Sequence, residues 1–383
     1  MPKSTAGPAS RAPERSEASL RALQRAGDLQ VRTAAEFQAL AAAGGLEQAF
    51  LSTHVVAAAD AGFTDQFSLH LSLGPCDPPI RLRQARLDGV DALCGCGTGD
   101  LVLPVAAAPV LAALLAGRAV HLAAIGEATA LQPRRELHTD LRLAQIGVAR
   151  LELQRGISEN GIVAVSSAPG LTATALGPLL GPYGSALYSC GGAGSIGLTM
   201  PGLAQLGPGS PVLVAGGLGW VLGAGSAHQP GVPRSPLGHA LAPGASAALS
   251  VELPGLKAPW LRPCRFEGHG PGLLVAVAAP VPLLNLARAR QASAGPELLE
   301  VPVLDLGLPR RLKPSLGHVR YAELLQGAIE LPQGRIRCGP ACSPSLAEAA
   351  AQQLAAELRE GRMPLRLPVR PLGSRPTLVP LEG

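Results

Sequence analysis

Forty-seven glycines and 37 prolines punctuate a chain of 383 residues, and no long run escapes them. Glycine and proline are the strongest local breakers of helix and strand. They therefore predict many brief buried segments joined by turns, and they exclude a bundle of long helices. Their frequency stays below the range in which low-complexity disorder becomes the default. With hydrophobic residues at 47% and aromatics at only 3%, the core must be filled by Ala, Leu and Val.

The net charge of +5 and pI of about 9.0 raise nucleic acid as a partner. The basic residues are scattered, few aromatics are present to stack bases, and no zinc-finger spacing occurs, so no nucleic-acid binding is expected. The densest cluster, Arg310, Arg311 and Lys313, reads as a solvated loop. A small anionic substrate suits the same modest positive balance. Seven cysteines is an odd number, and Met1 to Ser10 lack the apolar stretch of a secretion signal. Reduced thiols and a cytoplasmic location are the expectation. The longest apolar run, Leu101 to Gly117, contains Pro104 and Pro109 and is shorter than the ~20 residues of a bilayer span. It reads as a buried helix or strand, and no membrane segment is expected.

Residues 1–32 read as a flexible N-terminal extension with a short helical pattern around Leu20 and Leu23. At Thr33-Ala34-Ala35-Glu36 a capping box opens a helix, which should stop at Gly44-Gly45. Strands are predicted at Ser52–Ala58, Ile80–Arg86, Val120–Ala124, Gly161–Ser166, Pro211–Ala215 and Leu273–Ala278. After Ser343-Pro344, the spacing of Leu346, Ala350, Leu354 and Leu358 predicts a one-faced helix ending at Gly361. These signals give one large, loop-rich α/β domain over 33–370, with α+β open as a variant. It has short strands, a C-terminal docking helix and a tail at 371–383.

Gly192-Ala193-Gly194-Ser195-Ile196-Gly197 matches the spacing of a dinucleotide loop. That loop must open a helix and be followed about 20 residues later by an acidic residue. Pro201 and Gly202 interrupt any helix, and no Asp or Glu stands between Glu159 and Glu252. NAD and FAD are not expected. Cys190 enters this glycine turn, where converging N–H groups would favour its thiolate; the alternative is a small buried hydrophobe. Cys76, Cys94 and Cys96 form a second thiol group, open to redox or sulfur-relay chemistry, and Cys338 and Cys342 a third, read as independent buried thiols. Neither has the spacing of a zinc site, and no metal is expected. A second glycine loop, Gly216-Gly217-Leu218-Gly219, follows an apolar strand and suits an anion. His228 is a candidate acid or base, with a structural role as its alternative. Arg134, Arg135 and Arg234 are candidate carboxylate anchors, with surface solvation as theirs.

An ordered set of segments carries a resemblance. It comprises Asp77-Pro78-Pro79-Ile80, Pro133-Arg134-Arg135-Glu136, Val163-Ala164-Val165-Ser166-Ser167 and Tyr188-Ser189-Cys190. Gly216-Gly217-Leu218-Gly219, His228 and Gly231-Val232-Pro233-Arg234 continue it. Pro280-Val281-Pro282-Leu283 and Tyr321-Ala322-Glu323-Leu324 complete it, more than three-quarters of the chain in all. In this order they resemble the homocysteine-biosynthesis, sulfur-incorporation family.

The resemblance implies sulfur insertion into L-aspartate semialdehyde, or a similar small amino-acid aldehyde, to form homocysteine. A cysteine persulfide would carry the sulfur, with Cys190 as the principal thiol and His228 beside it. No tightly bound cofactor is implied; an external sulfide or persulfide donor and a reductant, such as a ferredoxin-like partner, are. The sequence departs from the family where an N-terminal cysteine is expected: Gly62-Phe63-Thr64-Asp65-Gln66 holds none. Cys76, Cys94 and Cys96 are the candidate substitutes. The alternative reading is a non-catalytic member that binds a thiol metabolite or a redox partner.

Overall fold

The computed structural model describes residues 14–95 and 99–374. Residues 1–13, Cys96 and most of the 371–383 tail therefore lie outside the described residues.

A capping box does open a helix at Ala34–Gly44: the Thr33 hydroxyl accepts the Glu36 N–H, and the Glu36 carboxylate accepts the Thr33 N–H. The helix ends at Gly45, whose φ of 83° is open to glycine at no steric cost. Next comes the strand Val55–Thr64, displaced from the expected start because Ser52 still caps the helix Leu46–Leu51. This strand is buried on both faces. Val56 and Ala58 join the main core, while Val55, Ala57, Ala59 and Ala61 meet the C-terminal helix Pro344–Arg359. That helix contributes Ala350, Ala351, Leu354, Ala355 and Leu358. Alanine on both sides lets the elements approach closely, which is how a core poor in aromatics fills its volume.

Val55–Thr64 belongs to a 14-stranded mixed sheet. It pairs in parallel with Val31–Thr33 and antiparallel, over ten register positions, with Gly270–Pro282. The sheet continues through Pro211–Val214, Gly217–Ala224, Ser246–Glu252 and Ile146–Ser158 to Phe67–Leu73 and the strands between residues 82 and 141. Gly270–Pro282 and Ile146–Ser158 are each 13 residues long, well beyond the short strands expected, and Ile146–Ser158 was not foreseen. Its polar and apolar positions alternate because it runs through the sheet with one face covered. The run Leu101–Gly117 divides into a strand end at Leu103 and the buried helix Ala108–Leu115.

A six-stranded sheet forms the second layer, in the order Ser315–Arg320, Glu300–Asp305, Val163–Val165, Ala186–Tyr188, Gly334–Pro340, Ala328–Leu331. No described helix is long and apolar enough to cross a membrane.

One boundary needs correction. Within the expected flexible extension, Glu17–Ala26 is a capped helix with Leu20 fully buried against the C-terminal helix cluster. Gln24 donates to the carbonyls of Leu358 and Met363, both at 2.9 Å, and Arg15 donates to those of Phe50 and Thr53. Every partner is distant in the chain, so local sequence reads as an unattached segment what tertiary packing fixes.

Candidate functional site

A cavity of about 420 Å³ opens where the two sheets meet. The large sheet supplies Asp60 to Gln66 from the end of Val55–Thr64, with Val275 and Val277 behind them. The smaller sheet supplies Ser189, Cys190, Leu304 and Cys342, and the loops beyond it Leu306 and Lys313. Arg155 enters from Ile146–Ser158. The cysteine-free stretch Gly62–Gln66 thus faces the same space as Cys190.

Cys190 lies just past the strand Ala186–Tyr188, on a loop held from several sides. A Cβ at Gly161 would fall 2.5 Å from the Cys190 Cβ, so only glycine admits the thiol at this depth. The ring of Tyr321 covers Gly192, where a Cβ would come within 2.6 Å of it. The Gly192 N–H donates to the Cys190 sulfur at 3.5 Å, and the hydroxyls of Ser195 and Tyr321 lie near enough to act on the thiol. Tyr321 donates its own proton to Asn160 Oδ1 at 2.7 Å. Asn160 is fixed in turn, donating to the carbonyls of Ala240 and Glu300 at 2.7 and 2.8 Å.

Of the two readings of Cys190, the favoured thiolate gives way to the buried thiol. Burial pushes its thiol up to about 11, the nearby Asp60 carboxylate adds to the rise, and the hydrogen bonds oppose it without prevailing. Burial likewise raises Asp60 to about 6, although its Oδ2 accepts the Ile196 N–H at 3.0 Å. Cys342 is raised to about 12 by burial, with Cys190 and Asp60 contributing.

The glycine loop does not open a helix fit for a dinucleotide. Ile196–Thr199 is only four residues long, and a Cβ at Gly197 would collide with the Glu159 backbone at 2.2–2.5 Å. These glycines serve close packing.

Most other candidates lie away from the cavity. His228 is buried and does not line it; its Nδ1 lies 3.0 Å from both the N and the O of Ser246. Its Nε2 has no hydrogen-bond partner among the described residues. Arg234 is committed to Glu159: Nη2 reaches Oε2 at 3.1 Å, Nη1 bonds Oε1, and the carbonyls of Pro230 and Gly238 take further N–H groups. It neutralises a buried carboxylate and is not free to take a substrate's. Arg134 bridges to Ile80 and donates to the Glu136 carbonyl at 3.0 Å; Arg135 is exposed beside it. Gly216, Gly217 and Gly219 form and follow the turn into Gly217–Ala224. Gly217 and Gly219 face the carbonyls of Gly255 and Ser250, and no anion cradle forms. Cys76 lines a separate cavity and Cys94 sits on Val90–Cys94, neither with Cys190. Among the described residues, no group of three His, Cys, Asp or Glu side chains is placed to hold a metal.

Three site residues escaped sequence reasoning: Asp60, Arg155 and Cys342. Asp60 had a signal, as the one charge inside the apolar run Val55-Val56-Ala57-Ala58-Ala59 and Ala61. Arg155 donates through Nε to Ser158 Oγ at 2.9 Å, and burial lowers its guanidinium below the usual range. Cys342 reaches the site through its bridge to Gly62.

A cysteine-bearing cavity lies between a large mixed sheet and a smaller one, and the family model for homocysteine biosynthesis enzyme, sulfur-incorporation, matches residues 29–365. The chain belongs to that family. It is 27% identical over 357 residues to the L-aspartate semialdehyde sulfurtransferase of Methanosarcina acetivorans, covering 90% of this chain and 69% of that one. To the enzyme of the same description from Methanocaldococcus jannaschii it is 26% identical over 375 residues, covering 91% and 71%. No solved structure matches.

Proposed function

We propose that the chain is a sulfurtransferase that inserts sulfur into L-aspartate semialdehyde, or a closely similar small amino-acid aldehyde, to give homocysteine. One observation carries this reading beyond family membership. Cys190, the Gly62–Gln66 stretch and the Arg155 guanidinium share one cavity of a size suited to a small metabolite.

The proposed roles follow from chemistry. Cys190 holds the transferable sulfur as a persulfide, whose outer sulfur is a nucleophile suited to the electrophilic aldehyde carbon. Arg155 takes the α-carboxylate, since its planar fork matches two carboxylate oxygens, and Lys313, from the loop beyond the smaller sheet, adds positive charge to the lining. Asp60, with its pKa near 6, is poised to exchange a proton with the thiol or the leaving oxygen near neutral pH. Sulfur adds to the carbonyl carbon and the oxygen leaves as water; two electrons reduce that carbon and two more bring the persulfide sulfur to the sulfide level, all four supplied by an external reductant. A ferredoxin-like protein is the proposed electron donor.

Purified protein, incubated anaerobically with aspartate semialdehyde, a polysulfide as sulfur donor and a reductant, is expected to form homocysteine detectable by mass. Saturable aldehyde or thiol binding with no product over many hours would replace this reading with the non-catalytic one.

A further inference from the structure

Cys190 and Cys342 each stand just beyond the end of one of two neighbouring parallel strands. Ala186–Tyr188 runs beside Gly334–Pro340 in parallel, with Ala186 opposite Cys338, Leu187 opposite Gly339 and Tyr188 opposite Pro340. Each cysteine stands two residues beyond the last of these pairs. The strands are still joined there, because the Ala341 N–H donates to the Tyr188 carbonyl at 2.8 Å. Alternate residues of a strand share a face, and neighbouring strands sit about 4.8 Å apart. A disulfide needs a Cα separation of about 4.4–6.8 Å. Continued for two more residues, that register would set Cys190 opposite Cys342 at about the spacing a disulfide needs, and both line the same cavity. Cys338 is matched to Ala186 and has no such partner.

We propose that Cys190 and Cys342 are a redox pair in which Cys342 resolves a persulfide on Cys190 and frees hydrosulfide inside the cavity. This rests on the sulfurtransferase reading above for the identity of the acceptor. The Cys342 thiol gives its proton to the Asp60 carboxylate, and its sulfur attacks Sγ of Cys190. A Cys342–Cys190 bond forms, the bond from Sγ to the outer sulfur breaks, and that sulfur leaves with the electron pair as HS⁻. Two thiols are oxidised to one disulfide while the sulfane sulfur is reduced to sulfide, so electrons balance. The hydrosulfide is released beside the aldehyde. A dithiol reductant then restores both thiols by exchange.

The arrangement accounts for two features. Asp60 acts electrostatically on both thiols, where a shared proton acceptor belongs. Burial keeps both resting thiols protonated, which protects them from stray oxidants until a persulfide is present.

The test loads reduced protein with a polysulfide, removes the excess, and follows sulfide release together with non-reducing peptide mass spectrometry. Wild type should release about one sulfide per chain and yield a Cys190–Cys342 linked peptide. Cys342→Ser and Cys342→Ala should retain the persulfide and release sulfide at least tenfold more slowly until dithiothreitol is added. Release at the wild-type rate in both variants, or release from wild type without the linked peptide, overturns the pair. Should both variants unfold, the wild-type linked peptide decides alone. Linked peptide and sulfide release without homocysteine from aspartate semialdehyde would sink the proposed acceptor while upholding the pair. Homocysteine made at an unchanged rate from a persulfide in the variants would do the reverse.

Discussion

The Asp60 carboxylate lies 3.0 Å from the backbone nitrogen of Ile196 and within electrostatic reach of the Cys190 thiol. It thereby fixes the loop that holds the thiol and supplies the nearest proton acceptor. The single N–H it receives there does not repay its loss of water, which is why its pKa rises to about 6.

The rise has a consequence for stability. Folded Asp60 binds its proton more tightly than unfolded Asp60, so its contribution is most favourable below about pH 4. It declines as pH climbs towards 6 and is flat above. A shift of about two units corresponds to a penalty on the order of 2–3 kcal/mol at neutral pH. Asp60→Asn keeps an oxygen for Ile196 and removes the charge. The variant should therefore melt higher than wild type at pH 7.5, with the gap closing at pH 4. Thermal melts across that range measure the gap, and a constant difference would show that the carboxylate is not buried. Sulfur transfer by the same variant should fall by roughly 10²-fold, the usual loss for a proton-transfer group.

Arg155 and Arg234 part by what they already touch. Among the described residues Arg155 hydrogen-bonds only through Nε, to Ser158, with the Asp65 carboxylate in electrostatic reach of its fork, whereas Arg234 is spent on Glu159. Arg155→Ala should raise KM for the aldehyde about 10–100-fold, the worth of a charged hydrogen bond, with a smaller effect on kcat. Steady-state kinetics with saturating sulfur donor separate the two constants. An unchanged KM would remove Arg155 from the substrate.

Arg234→Ala should act on folding. Glu159 is fully buried and also accepts the N–H groups of Gly202 and Ala245, so removing its cation strands a charge in the core. Breaking such a pair costs about 3–5 kcal/mol. Denaturant unfolding should show a lower midpoint, and the folded fraction should keep its KM. A raised KM without lost stability would return Arg234 to the site.

What could be read from the chain follows the range of each interaction. The capping box at Thr33 and Glu36, the helix after Ser343 and the broken glycine loop depend on neighbours a few residues apart, and each is legible. Leu20 is buried in a cluster completed by Leu354, Ala355 and Leu358 of the C-terminal helix, so from local sequence its helix reads as an unattached extension. Cys190 was found because a cysteine beside glycines stands out. Its state was misjudged, because the nearby N–H groups are visible in sequence and the desolvation from both sheets is not. Cys342, Asp60 and Arg155 come together only when the sheets meet, while His228 and Arg234, which resembled site residues, are absorbed by local partners.

The N-terminal helix gives a further check on packing. Leu20→Ala removes a fully buried side chain from the cluster around Leu354 and Leu358 and should cost about 2–5 kcal/mol. Circular dichroism melts measure it directly. A loss below about 0.5 kcal/mol, the range of surface changes, would restore the flexible extension.

Cys190 carries the reading that matters most. Its thiol is buried and raised to about 11, so at pH 7 iodoacetamide should label the accessible Cys76 well before it. Labelling of Cys190 should accelerate as pH approaches 11, and peptide mass spectrometry resolves the two sites. Cys190→Ser changes little volume and keeps a partner for the Gly192 N–H, so the fold should survive. Sulfur transfer should nonetheless drop by roughly 10³-fold or more, as it does when a covalent nucleophile is removed. Persulfide should no longer be trapped at residue 190, while Cys76→Ser, in its separate cavity, should retain full activity. Full transfer by Cys190→Ser, with persulfide found on another cysteine, would move the sulfur carrier out of this cavity.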